Sequence, residues 1–235
     1  LLLDQKGVVV DAKHESGATP LLNASQNGHL EIVQLLLDRG AKVNGHDESD
    51  ASTPLLIASQ LGRLDIVKLL LEKEGIEKNK ANKDGDTPLL ISIKNRHVDI
   101  ANALIEGGVN IHHNDPSGYS PLAFAVQVGD IEIVQLLVSK GIDMKGLTGD
   151  EGLTYAMIAA QFGHLELVKY FVNEGVDPNQ RSSNGNFTAL WLAAWGGHIE
   201  VVKWLVDKGS ELDQKGRLSS KEEFSTPREI AERNE

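Results

Sequence analysis

Thr19-Pro20-Leu21-Leu22 returns as Thr53-Pro54-Leu55-Leu56 and Thr87-Pro88-Leu89-Leu90. It returns more loosely as Ser120-Pro121-Leu122-Ala123, Thr154-Tyr155-Ala156-Met157, Thr188-Ala189-Leu190-Trp191 and Thr226-Pro227. The starting positions advance by 34, 34, 33, 34, 34 and 38 residues. A second signature follows nine residues behind: Gly28-His29, Gly62-Arg63, Arg96-His97, Gly129-Asp130, Gly163-His164 and Gly197-His198. Two signatures held in phase over so many steps define a repeat array.

One repeat can be read from its chemistry. Thr19 suits a helix N-cap, and Pro20 suits the first helical position, where a missing N–H costs nothing. A short helix through Leu21, Leu22 and Ala24 then stops near Gly28, which can take the left-handed conformation after the last turn. A second helix carries Leu30, Val33, Leu36 and Leu37 at helical spacing and ends at Gly40. Helices of two to three turns are unstable alone in water, so neighbouring repeats must bury one another's apolar faces.

This pattern resembles the ankyrin repeat, with its hairpin-like turn, two antiparallel helices and Thr-Pro-Leu-His-x-Ala signature. The resemblance implies an all-α solenoid of stacked helix-turn-helix repeats joined by β-hairpin-like loops. It divides 1–235 into a single array: 1–11 as the tail of a preceding repeat, repeats at 12–44, 45–79, 80–112, 113–145, 146–179 and 180–213, and a partial terminal repeat at 214–235. The chain opens on Leu rather than Met, and both ends read as cut from something longer. The signature histidine is replaced throughout, by Leu22, Leu56, Leu90, Ala123, Met157 and Trp191, which puts its usual polar ties in doubt. Arg96 stands where Gly is expected, Glu74 is an extra residue, and the longer last step places a polar insertion near Lys221-Glu222-Glu223. The weakest points are expected at Arg96 and at that insertion.

Composition narrows the function. A net charge of −11 disfavours binding to a nucleic-acid backbone or an anionic membrane. The absence of Cys removes disulfides, thiolate catalysis and Cys-based zinc sites, and fits a reducing compartment. No apolar run approaches the roughly 18 residues that span a bilayer, and Leu1-Leu2-Leu3 runs straight into Asp4 rather than forming a signal peptide. An intracellular, cytoplasmic location is expected, with the nucleus open as an alternative.

Several suggestive residues read as framework. Glu31, Asp65, Asp99, Glu132, Glu166 and Glu200 recur in the first turn of each second helix, where negative charge complements the helix dipole. His29, His164 and His198 each begin an H-x-E triplet, but the Cys half of the zinc-deaminase signature is missing. With His97, they are read as shaping the turn. His112-His113 has no convergent carboxylate set. The sequons at Asn23 and Asn186 read as accidental. No phosphate-binding loop, dinucleotide fingerprint, nucleophile elbow or His-Glu-x-x-His is present, so neither catalytic residue nor metal nor cofactor is assigned.

Partner information in an array lies in positions that do not repeat. The residue before each Thr or Ser reads Ala18, Ser52, Asp86, Tyr119, Leu153, Phe187. The pair before the turn reads Gln26-Asn27, Gln60-Leu61, Lys94-Asn95, Gln127-Val128, Gln161-Phe162, Trp195-Gly196. Both tracks turn apolar or aromatic in the last three repeats, and the resemblance places both on the concave face. Tyr119, Val128, Leu153, Phe162, Phe187 and Trp195 are therefore the expected partner-binding residues. Trp191 is expected to be half buried, and Tyr170 and Trp204 to pack internally. Acids near the hairpin tips, including Glu48, Asp50 and Asp86, would steer a basic segment.

The expected function is a non-enzymatic scaffold or adaptor. It would hold another protein, one with an apolar anchor and a basic flank, on the hairpin and first-helix face of repeats 4–6. The alternative is a regulatory or targeting segment of a larger enzyme whose catalytic domain lies elsewhere. A methyl-lysine cage built from Phe187, Trp191 and Trp195 is a third reading. Asn44, Asn79 and Asn179 occupy the family position that asparagine hydroxylases modify, against a purely structural role in closing their own turn.

Overall fold

The computed structural model describes residues 9–184, 186–212 and 226–227. The chain divides into two compact units, Leu1–Pro116 and Ser117–Glu235. The first contains α1 (Pro20–Asn27), α2 (Leu30–Asp38), α3 (Pro54–Gln60), α4 (Leu64–Leu71), α5 (Pro88–Lys94) and α6 (Val98–Glu106). The second contains α7 (Pro121–Val128), α8 (Ile131–Ser139), β1 (Leu147–Thr148), β2 (Leu153–Thr154), α9 (Tyr155–Gln161), α10 (Leu165–Asn173), α11 (Ala189–Trp195) and α12 (Ile199–Asp207). Of the expected end segments, 1–11 is described from Val9 onward. From 214–235 only Thr226 and Pro227 are described, both buried, and the insertion near Lys221-Glu222-Glu223 lies outside the described residues.

Each unit is a stack of three helix pairs, so the all-α stacked class expected from the period is the one observed. First helices pack on first helices, α1 on α3 on α5 and α7 on α9 on α11. Second helices form the other layer, α2 on α4 on α6 and α10 on α12. Every first helix starts as the sequence predicts. The hydroxyls of Thr19, Thr53, Thr87, Ser120, Thr154 and Thr188 accept the N–H three residues on at 3.1–3.3 Å. Each such cap is worth about 1 kcal/mol. In the connecting loops one backbone bond closes the hairpin, as from His14 N–H to Ala18 O at 2.9 Å and from Asn82 N–H to Asp86 O at 3.0 Å. Only the fifth repeat extends this into a two-stranded antiparallel ladder among the described residues, with Leu147 opposite Thr154 and Thr148 opposite Leu153.

Besides bonds between successive hairpin tips, such as Lys83 N–H to Asp50 O at 3.0 Å, polar ties between successive repeats come from two places that the sequence reading did not assign. At the turn, His97 Nε2 donates to Gln60 O at 3.0 Å, and His164 and His198 donate to Gln127 O and Gln161 O, both at 2.9 Å. Arg63 reaches Gln26 O at 3.4 Å from both Nε and Nη2. At the far end of the second helix, Asn44 Oδ1 accepts from Glu77 N–H at 2.9 Å while its Nδ2 donates to Gly75 O at 2.7 Å. Asn79 and Asn179 accept from Asn110 N–H at 2.7 Å and Glu211 N–H at 3.1 Å. These asparagines therefore clamp the next repeat's backbone rather than closing their own turn. Asp11 holds Lys42 N–H at 3.0 Å in the same manner. The residues in the signature-histidine position, meanwhile, are buried aliphatic, Met or Trp side chains.

The turn glycines Gly28, Gly62, Gly129, Gly163 and Gly197 have φ between 71° and 85°, and Arg96 keeps the same left-handed form at φ 60°. The third turn is therefore strained rather than reshaped. A side chain in this region costs about 1–2 kcal/mol, part of which a glycine returns as unfolded-state entropy. Arg96→Gly is expected to stabilise the first unit by about 0.5–1 kcal/mol, read as a higher urea midpoint. An unchanged or lower midpoint would mean that Arg96 makes contacts worth more than its strain. The extra Glu74 is absorbed without a bulge in the helix: α4 stops at Leu71, and a longer turn carries the chain to Gly75.

Candidate protein-binding surface

The residue before each N-cap is the place where sequence reading and structure part. Ala18, Ser52, Asp86, Leu153 and Phe187 are all buried, and Tyr119 is half-buried. For the two aromatics the cause is local: each folds back over the first turn of its own helix, in the manner of a hydrophobic staple. Phe187 packs on Trp191 at a ring separation of 4.8 Å, and Tyr119 leans on Phe124 at 6.1 Å. Leu153 is 1% exposed and Phe187 3% exposed, so neither presents the surface that was expected of it. Trp191, expected half-buried, is fully buried at 3%, and with Phe187 it cannot line an open cage for a methylated lysine.

The pair before the turn behaves differently. Here the first helix ends and the chain reverses, so side chains leave the helix layer. Phe162, the C-cap of α9, is 41% exposed, and Trp195, the last residue of α11, is 44% exposed. Val128, the last residue of α7, is half-buried. Phe162 lies nearly parallel to the His164 ring, with centroids 6.4 Å apart and planes 15° apart. Because His164 is itself held by Gln127 O, the stack fixes the orientation of Phe162. An exposed aromatic held in place this way loses little entropy on binding. In the first unit the same track exposes Leu61, at 40%, amid Gln26, Asn27 and Asn95.

Burial pushes the Tyr155 phenol above its usual range, against a smaller opposing effect of its 3.1 Å hydrogen bond with Ser120. Tyr155 occupies the first helical position, which is proline in the first four repeats and Ala189 in the sixth, and its hydroxyl bonds the Ser120 cap of the preceding repeat. Tyr170 is likewise raised by burial, with Glu174 adding to the shift. Tyr170 and Trp204, expected inside, are half-exposed on the second-helix layer. Among the hairpin acids, Asp86 is buried against Lys94 Nζ at 2.5 Å, and Glu48 is held below the usual carboxylate range by Lys13 at 3.0 Å. Asp50 accepts from Ser52 Oγ. Asp50 thus ties its own loop, Asp86 ties its loop to the end of α5 and Glu48 joins two successive hairpins, which reduces the charge left to steer a partner. His113 Nε2 faces Gly85 O at 3.4 Å, and no group of three or more potential metal ligands converges among the described residues.

A family model described as ankyrin repeats in three copies matches residues 1–82, 74–148 and 142–216. The crystal structure of the human ASB11 ankyrin repeat domain is similar, with a TM-score of 0.74 over 91% of this chain and 92% of that one. Sequence identity is 23%, so the likeness is one of fold. No curated protein sequence matches the chain. No helix among the described residues is long and apolar enough to cross a membrane. With recurrent caps, left-handed turns and inter-repeat clamps in the structure, and family matches running from residue 1 to 216, the chain belongs to the ankyrin repeat family, whose repeats are generally modules for binding other proteins.

Proposed function

We propose that this protein is a non-enzymatic scaffold that holds a partner protein at the turn ends of the first helices in its second unit. Phe162 and Trp195 are the anchors, and the half-buried Val128 extends the apolar surface, while Tyr119 lies at the opposite end of α7 and outside it. The observation that carries this reading is the exposure of two large aromatics at consecutive turns of a framework whose stacking does not use them. Aromatic anchors dominate interface energetics, and left uncovered they are a solubility liability.

The test is capture from cell extract with the full chain, comparing wild type, a Phe162→Ala/Trp195→Ala variant and an Ile32→Ala control, all checked by circular dichroism. A protein identified by mass spectrometry should be retained by wild type and control. Its affinity for the double variant should fall by about 30-fold, corresponding to the loss of about 2 kcal/mol typical of an interface hot spot. Equal retention by all three would place the partner elsewhere and end this assignment.

A further inference from the structure

A second surface lies on the other helix layer, within the first unit. Between α2 and α4 runs an open groove of about 570 Å³. Its floor is apolar, made by Leu30, Leu35 and Leu69, all partly exposed. Its rim carries four carboxylates, Glu31, Asp38, Asp65 and Glu72, against the single ammonium of Lys68. Asp38 accepts from Gln34 Nε2 at 2.6 Å. Glu31, Asp65, Glu72 and Lys68 form no ion pair among the described residues, so this charge is not spent internally.

The corresponding furrow between α10 and α12 in the second unit is built to the opposite effect. Lys169 pairs with Glu166 at 2.7 Å and Lys203 with Glu200 at 3.0 Å, so the chain supplies its own cations. Tyr170 and Trp204 stand where the first unit has Leu35 and Leu69, and Lys208 lies over the Trp204 ring at 5.5 Å. In the first groove Gln34 replaces Lys169, Lys68 keeps the place of Lys203 without an ion pair to Asp65, and the aromatics are replaced by leucines that leave the floor open. Apolar floor and uncompensated negative rim occur together only in the first of these two furrows.

We infer that the α2–α4 groove binds a cationic amphipathic helix of a partner protein, with an aliphatic stripe on Leu35 and Leu69 and Lys or Arg flanks beside Glu31, Asp65 and Glu72. The groove has no strand edge to extend, and two parallel helices leave a furrow into which a third helix fits. The nine residues of α2 are about 14 Å long, which accommodates two to three turns of the incoming helix. A second copy of this chain is a poor occupant, because its second helices carry the same first-turn acids and the chain has a net charge of −11. The surface uses none of the residues assigned to the turn-end site.

The probe is a fluorescein-labelled Leu/Lys peptide of heptad-like order, read by anisotropy against the full chain at low salt. A scrambled peptide of the same composition, unable to segregate Leu from Lys on a helix, is run beside it. Leu35→Gln/Leu69→Gln is expected to weaken the ordered probe at least about tenfold, and Glu31→Gln/Asp65→Asn/Glu72→Gln at least about fivefold, with the second effect shrinking as salt rises. Removing equal charge from the second unit by Glu132→Gln/Glu174→Gln/Asp207→Asn should change binding less than about twofold. The Phe162→Ala/Trp195→Ala variant should bind the probe as wild type does, which keeps this result separate from the turn-end assignment. The inference is overturned if the probe does not bind, if the scrambled peptide binds equally, or if the second-unit charge variant loses as much affinity as the groove variants.

Discussion

Phe171→Ala is expected to lower the stability of the second unit by about 3–5 kcal/mol, the largest loss anticipated for any single substitution considered. Phe171 is fully buried in α10, stacked against Tyr155 at 6.0 Å and edge-on to Tyr170 at 5.3 Å. Its counterparts in the other repeats are Leu36, Leu70, Leu104, Leu137 and Leu205, each buried. The position is leucine in every other repeat, and here the larger Phe171 ring stacks on Tyr155, which stands where four repeats have proline. Phe171→Leu should consequently cost less than about 1.5 kcal/mol. Urea unfolding followed by circular dichroism distinguishes the two variants. Because repeats are stabilised by their neighbours, the alanine variant should also separate one broad transition into two. A loss below about 1 kcal/mol for alanine would show that the surrounding side chains collapse into the space.

Gly129→Ala should cost about 2–3 kcal/mol through two effects that can be separated. Gly129 has φ 85°, so any side chain is strained there by about 1–2 kcal/mol. A Cβ would also come 2.5 Å from His164 Cε1 and 2.6 Å from its Nδ1. That contact would push the imidazole off Gln127 O and forfeit a hydrogen bond worth about 1 kcal/mol. The missing side chain of one turn is thus what admits the histidine of the next. In a double-mutant cycle, adding His164→Ala should remove the clash, so that the two changes together cost about 1 kcal/mol less than their sum. Strict additivity would mean that backbone strain alone makes Gly129 necessary.

The period, the caps and the turns were legible in the sequence because each is a local property: a hydroxyl three residues before an N–H, a proline at the first helical position, a glycine at positive φ. The ties between repeats were harder to read. His97, His164 and His198 were seen to recur, but only the packed helices bring their rings to carbonyls 37 residues earlier. Asn44 and Asn79 were weighed as closing their own turns because that bond is local, whereas the bond they make crosses to the next repeat. The binding surface divides along the same line. Phe162 and Trp195 sit where a helix ends, and side chains there leave the stack. Leu153 and Phe187 precede an N-cap, where Leu153 pairs in the hairpin ladder and Phe187 folds onto Trp191, and both are buried. A rule that placed residues before an N-cap inside, whatever their chemistry, would have removed both from the expected surface.

Within each unit the bonds from one repeat to the next join residues 28 to 37 positions apart, whether they come from asparagine, histidine, lysine or arginine. That separation is set by the repeat and does not depend on how many repeats precede it. The loop-closure entropy of docking each repeat is therefore the same at every step, unlike that of a globular fold whose termini must meet. A gene that duplicates or deletes one whole period changes the length of the protein without creating any contact that the chain has not already learned to make.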